Sequence, residues 1–286
     1  MTGVNFAEGP GLPPAAQAGT HAARVLGVIP ARLGSQRLPG KPLVRIAGRP
    51  LIEWVWRRAM ALASPQDGDA RGLEWEWVVA TDAPEVADAV RGFGGRAVLT
   101  RPDHASGTDR VAEVAARPEF RSHDAIVNLQ GDEPLLPDGA VEGAVRLVLA
   151  GAFEIGTAAV PLRSVEEWRD PAVVKVVVAR DGSALYFSRA PIPYPRDGAP
   201  GPAELGSGLY LRHVGCYAFR RDALERWPRL GPAPLETAEG LEQLRALYAG
   251  WRIGVAVCTG GEPGVDTPAD LARVERRLIQ VEETER

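Results

Sequence analysis

Apolar residues at 25–29 (VLGVI) follow one another without polar alternation, the pattern of a strand covered on both faces of a parallel sheet. Leu51, Trp54, Val55, Arg58 and Leu62 then recur at helical spacing behind Pro50, which predicts a crossover helix over 50–63. A polar Gly/Asp loop at 64–72 leads into a second apolar run at 76–80, closed by Thr81 and Asp82. A short helix over 84–92 and a third strand at 96–99 follow. Ser106, Gly107 and Thr108 precede a helix over 109–116, and a fourth strand at 124–129 runs straight into Gln130, Gly131, Asp132, Glu133 and Pro134. A helix over 137–149 and a strand at 156–161 complete the series. Strand and helix alternate, so the expected fold is α/β, a mostly parallel sheet with right-handed crossovers.

Past 161 the periodicity changes. VVKVVV at 173–178, a turn at Asp181 and Gly182, and a second run at 184–188 read as an antiparallel hairpin. The stretch 191–208 is rich in Pro and Gly and has no period, so it is expected to be a mobile loop that closes over a site. Period two over 211–219 places His213 and Tyr217 on one face of a strand. Residues 235–250 read as helical, with Leu241 and Leu244 on the core stripe and Glu239, Glu242 and Gln243 toward the opposite, solvated side. Gly240 within this pattern costs up to about 1 kcal/mol in a helix interior, which argues for a later start. A strand at 253–257 precedes Asp266, Thr267 and Pro268, which open a last helix running to about 279.

Composition narrows the class. At 286 residues, 45% hydrophobic and 24% charged, the chain can bury one large core with a smaller lobe. A net charge of −4 excludes a general nucleic-acid binder, because no positive excess is available for a phosphate backbone. Cys216 and Cys258 lie in apolar runs with no ligand-spaced histidine, which reads as buried, reduced thiols and a cytoplasmic setting. Residues 1–23 are Gly-, Pro- and Ala-rich without the features of a signal peptide and are expected to be a disordered extension. No apolar run reaches the length of a membrane span.

The candidate chemistry sits at strand ends. Arg32, Arg37 and Lys41, interleaved with Gly34, Ser35 and Gly40, follow the first strand, an arrangement that suits a polyphosphate and would otherwise be a solvated basic loop. Asp132 and Glu133 lie just beyond the fourth strand, where open α/β sheets bind ligands; the plainer reading is an acidic turn held by Pro134. A hard cation such as Mg²⁺ takes one or two carboxylates plus substrate phosphates, and Asp132 fits that use. Asp266 and Ser106 stand where helix caps stand, so capping and ligand contact both remain open for each. His213 has a structural reading beside a catalytic one. Together these are the parts of a metal-assisted phosphoryl or nucleotidyl transfer site. There is no G-x-x-x-x-G-K-[ST], no G-x-G-x-x-G after a strand, and no nucleophile elbow around Ser188 or Ser207.

The runs VIPARLGSQRLPGKPL, TRPDHASGTDR, VNLQGDEP, ALYFSRAPIPYPRD, RHVGCYAFR, PLETAEGLEQLRAL and GVDTPADLARV, in this order from 25 to about 278, resemble the 3-deoxy-manno-octulosonate cytidylyltransferase (CMP-KDO synthetase) family. The resemblance implies a Rossmann-like sheet of the nucleotide-diphospho-sugar transferase type with a smaller antiparallel hairpin lobe. It implies a single domain over 24–286, in which 162–220 forms the sugar-binding and dimerisation lobe of a homodimer. The implied activity is transfer of CMP from CTP to the anomeric hydroxyl of 3-deoxy-D-manno-octulosonate (KDO), with release of pyrophosphate, for lipopolysaccharide assembly. Related acceptors such as 8-amino-KDO or a sialic acid, or a catalytically silent nucleotide binder, are the alternatives. By position, Arg32, Ser35, Arg37 and Lys41 resemble the triphosphate-binding residues, with Arg32, Arg37, Lys41, Asp132 and Asp266 as the catalytic set. Asp132 and Asp266 resemble the Mg²⁺ ligands, and Ser106 and Gly107 would lie near the cytidine. Gln130, Arg189, His213, Tyr217, Glu242 and Gln243 match the family's sugar-site positions.

Overall fold

In the computed structural model of the protein, which describes residues 22–34, 37–63 and 72–284, the apolar run at 25–29 is the centre of strand β1 (Ala23–Ala31). Val25, Leu26, Val28 and Ile29 are fully buried, as a strand covered on both faces requires. A two-stranded ribbon, β2 (Arg45–Ile46) and β3 (Arg49–Pro50), leads into α1 (Leu51–Ala63). Then come β4 (Leu73–Thr81), α2 (Pro84–Gly92), β5 (Ala97–Leu99), α3 (Gly107–Ala115) and β6 (Ala125–Leu129). The strands run in the order β6-β1-β4-β5 and every neighbouring pair is parallel. The mostly parallel sheet expected from the alternating pattern is present. The expected extension lies outside the described residues as far as 21, and Ala23 already belongs to β1.

Two compact units divide the chain, one of 22–137 with 261–284 and the other of Asp138–Gly260. The second contains α4 (Ala140–Leu149), β7 (Ile155–Pro161), α5 (Val165–Arg169), the hairpin β8 (Lys175–Val178) and β9 (Ala184–Ser188), and α6 (Pro202–Leu205). It continues through β10 (Leu211–Arg220), α7 (Arg221–Arg226), α8 (Pro234–Glu239), α9 (Gln243–Tyr248) and β11 (Ile253–Val257). β7 is flanked by parallel β11 and antiparallel β10, and β8 pairs antiparallel with both β9 and β10. The last helix, α10 (Pro268–Thr284), belongs to the first unit.

One expectation changes. The single helix over 235–250 is two short helices, because Gly240 adopts φ 61° and ends α8 in the left-handed conformation that a glycine accepts without strain. Arg245 of α9 then reaches back to Glu236 of α8 at 2.5 and 2.9 Å. Within the aperiodic stretch 191–208, the short helix α6 buries Leu205 in a cluster with Leu162, Trp168 and Tyr210, while most of the remaining residues are exposed or half-buried. No helix among the described residues is long and apolar enough to cross a membrane.

Candidate active site

Lys41 opens a 3-10 turn, Lys41–Leu43, placed by left-handed Gly40 before it and by buried Pro42 after it. Its ammonium donates to Asp132 Oδ2 at 2.6 Å and to Asp266 Oδ1 at 2.8 Å, while Arg37 reaches Asp266 Oδ2 at 3.2 Å. Burial disfavours the Lys41 charge, but the attraction of Asp132 and Asp266 and the hydrogen bonds to both outweigh it. The pKa therefore lies above that of an ordinary lysine.

The convergence of residues so distant in sequence has a main-chain cause. Glu262 N donates to Leu135 O at 3.1 Å and Val265 N to Asp132 O at 2.9 Å, so 262–265 is zipped along the segment that leaves β6. Gly131 permits this segment to pass close to the tip of β1, since a Cβ there would lie 2.8 Å from Pro30 O. The open question about Asp266 is answered by its neighbours. Thr267 and Asp270 form the cap of α10: Asp270 N donates to Thr267 Oγ1 at 3.3 Å, and Thr267 N to Asp270 Oδ2 at 2.9 Å. The Asp266 carboxylate is thereby left for Lys41 and Arg37.

The other predicted nucleotide-site residues are placed as follows. Arg32 is exposed just beyond β1, and Ser35 lies outside the described residues. Ser106 caps α3, its Oγ accepting from Asp109 N at 3.1 Å. Gly107 stands at the start of that helix over the β1 tip, where a Cβ would be 3.6 Å from Pro30 Cγ.

Of the residues matched to the sugar site, Gln130 belongs to the first unit and is exposed, and the rest belong to the second. His213 and Tyr217 share a face as expected, with ring centroids 5.3 Å apart. Phe187 meets the His213 ring edge-on at 5.1 Å. Burial, reinforced by the charge of Arg212, lowers the His213 pKa to about 3, so the imidazole is neutral across the physiological range. The Arg189 guanidinium donates to Glu239 O at 2.7 Å and Pro171 O at 2.9 Å. Gln243, expected on a solvated face, is buried at the start of α9, with Glu242 immediately before it; the break at Gly240 turns this segment inward.

Three residues of this unit were not singled out by sequence reasoning as site residues. Glu239 accepts from Ser188 Oγ at 2.6 Å and from Arg189 N at 2.9 Å. Lys175, fully buried, donates to the carbonyls of Asp170, Val173 and Arg189 at 2.5–2.8 Å, and burial lowers its pKa to about 8. Its position inside VVKVVV was a readable signal. Thr157, fully buried in β7, bonds to both His213 and Cys216.

Chemically, the Lys41 cluster offers two carboxylates and two cations at the carboxyl ends of parallel strands, the place where this class of sheet binds phosphates. Comparisons with known proteins identify the family. Residues 26–253 match the family model described as Cytidylyltransferase. The 3-deoxy-manno-octulosonate cytidylyltransferase of Gemmatimonas aurantiaca is 50% identical over 249 residues, covering 87% of this chain and 92% of its own. That of Alkalilimnicola ehrlichii is 51% identical over 259 residues, covering 88% and 95%. A solved CMP:2-keto-3-deoxy-manno-octonic acid synthetase complexed with CTP is 43% identical and superposes with a TM-score of 0.77 over 90% of this chain and 99% of that one. The inositol-1-phosphate CTP transferase of T. maritima, 13% identical with a TM-score of 0.55, shares the fold. By these matches, over nearly the full length of its relatives, the chain belongs to the 3-deoxy-manno-octulosonate cytidylyltransferase family.

Proposed function

We propose that the protein transfers CMP from CTP to 3-deoxy-D-manno-octulosonate, releasing pyrophosphate and supplying an activated sugar for lipopolysaccharide assembly. The observation that carries this reading is the meeting of Lys41, Asp132 and Asp266 in a chain half identical to enzymes of that name. The anomeric hydroxyl attacks the α-phosphorus of CTP, its proton is lost, and the bond to the bridging oxygen breaks to free pyrophosphate. Lys41, Arg32 and Arg37, with Ser35, hold the triphosphate and neutralise charge that builds on the departing group. Ser106 and Gly107 lie beside the cytidine. In the second unit, Arg189, His213, Tyr217, Glu242 and Gln243 hold the acidic sugar, with Arg189 acting through the backbone that it braces.

The donor set suits Mg²⁺. Asp132 and Asp266 present only oxygen, one positive charge already bridges them, and among the described residues no group of three or more His, Cys, Asp or Glu forms a complete cage. That leaves room for the substrate phosphates that Mg²⁺ prefers as its remaining ligands. When bound, the ion supplies charge neutralisation on the phosphate oxygens.

A homodimer through 162–220 belongs to the same reading and is supported by exposed Leu185, Tyr194 and Leu209 within that segment. The free thiols Cys216 and Cys258 fit a cytoplasmic setting. Partners are thus CTP, an acidic octulosonate and a second copy, without nucleic acid or membrane. The test is pyrophosphate release with CTP and Mg²⁺ over a panel of acceptors. KDO is expected to be turned over faster than 8-amino-KDO or a sialic acid, and turnover with either of those alone would overturn the assignment.

A further inference from the structure

The pairing of β10 with β7 skips. Val214 faces Ala158, but the next pair is Tyr217 with Thr157, so Gly215 and Cys216 form a bulge. The bulge presents the Cys216 carbonyl to the buried Thr157 hydroxyl, which donates to it at 2.7 Å. The same Thr157 Oγ1 lies 2.9 Å from His213 Nε2. A hydroxyl has one hydrogen and a carbonyl can only accept, so Thr157 has no hydrogen left for the imidazole. The proton in the second contact must come from the ring: Nε2–H donates to Thr157 Oγ1. In a neutral imidazole this leaves Nδ1 as a lone pair. No protein group among the described residues bonds to Nδ1, and the ring is half-buried between Phe187 and Tyr217.

We propose that Thr157 is a positioning residue: through the bulge carbonyl it holds His213 as the Nε2–H tautomer, so that Nδ1 meets the acceptor sugar as a hydrogen-bond acceptor for one of its hydroxyls. The device selects a ligand that donates at that point. The low His213 pKa keeps the lone pair available at neutral pH. The sugar part of this inference rests on the reading above of His213 as a residue of the octulosonate site; the tautomer part does not.

The experiment is nitrogen NMR of the full chain labelled in its histidine rings, with the His213 signals assigned by their absence from His213→Gln, together with the KM for octulosonate and for CTP. In the wild type, His213 is expected to show a protonated Nε2 and an unprotonated Nδ1 from about pH 6 to 8. Thr157→Val is expected to populate the other tautomer. It should raise the octulosonate KM about ten-fold, the factor for one lost hydrogen bond, and leave the CTP KM unchanged. Thr157→Ser should restore both. A wild-type His213 carrying its proton on Nδ1 overturns the proposal whether or not Thr157→Val folds. So does a folded Thr157→Val with unchanged tautomer and KM. A wild type inactive on the octulosonate but holding the Nε2–H tautomer overturns the substrate reading and supports the tautomer assignment.

Discussion

Lys41 and Lys175 are the only two lysines of a chain with 33 basic residues, and the structure drives them in opposite directions. Lys41 sits between two carboxylates, while Lys175 is buried with carbonyls as its only hydrogen-bond acceptors among the described residues. Fixed dipoles stabilise an ammonium less than a full opposite charge does. With only two lysines, carbon NMR of a lysine-labelled sample should resolve both side chains. One is expected to titrate near pH 8 and the other above 10.5; two ordinary curves would contradict the electrostatics described. The sign for stability follows. Between about pH 8 and 10.5 the unfolded chain holds a proton on Lys175 that the folded chain has lost, so this group's contribution to stability rises with pH, by roughly 2 kcal/mol between pH 8 and 10. Lys41 acts in the opposite sense, its contribution being lost as pH rises through its folded pKa. Sequence alone marked Lys41 by its glycine-rich context. It gave Lys175 only an odd place in an apolar strand, and Thr157 no mark at all, because a threonine in a strand is ordinary until its partners are known.

At the scale of elements, hydrophobic period predicted most of the regular structure and failed where backbone conformation decided. β4 begins at Leu73, before the expected 76, because its first residues pair with β1 from Ala23↔Leu73 onward while staying half exposed, so no apolar run marks them. The break at Gly240 was legible only as a cost, since the pattern around it stays helical. Gly240→Ala places a Cβ on a φ of 61° and is expected to lower stability by about 1–2 kcal/mol, read as a lower denaturation midpoint. An unchanged midpoint would mean that α8 and α9 tolerate fusion into one helix. That outcome would remove the account given for the burial of Gln243.

Across the whole molecule, the proposed site brings together residues separated by more than two hundred positions in the chain. The sequence named Lys41 and Asp132 by their places after strands, and Asp266 with them through family resemblance, but not the reason that they meet. The reason is long-range main-chain pairing of 262–265 with 132–135, together with a helix cap assembled from Thr267 and Asp270 in place of Asp266. Local patterns do not encode such pairing, which is why capping and ligand contact could not be separated for Asp266 beforehand. The central claim is that Asp132 and Asp266 share one divalent ion with the nucleotide. Its most direct test is Mn²⁺ binding in the presence of CTP, followed by electron paramagnetic resonance, in the wild type, Asp132→Asn and Asp266→Asn. Each substitution is expected to weaken the ion by about ten-fold or more; wild-type Mn²⁺ titrations from both folded variants would contradict it.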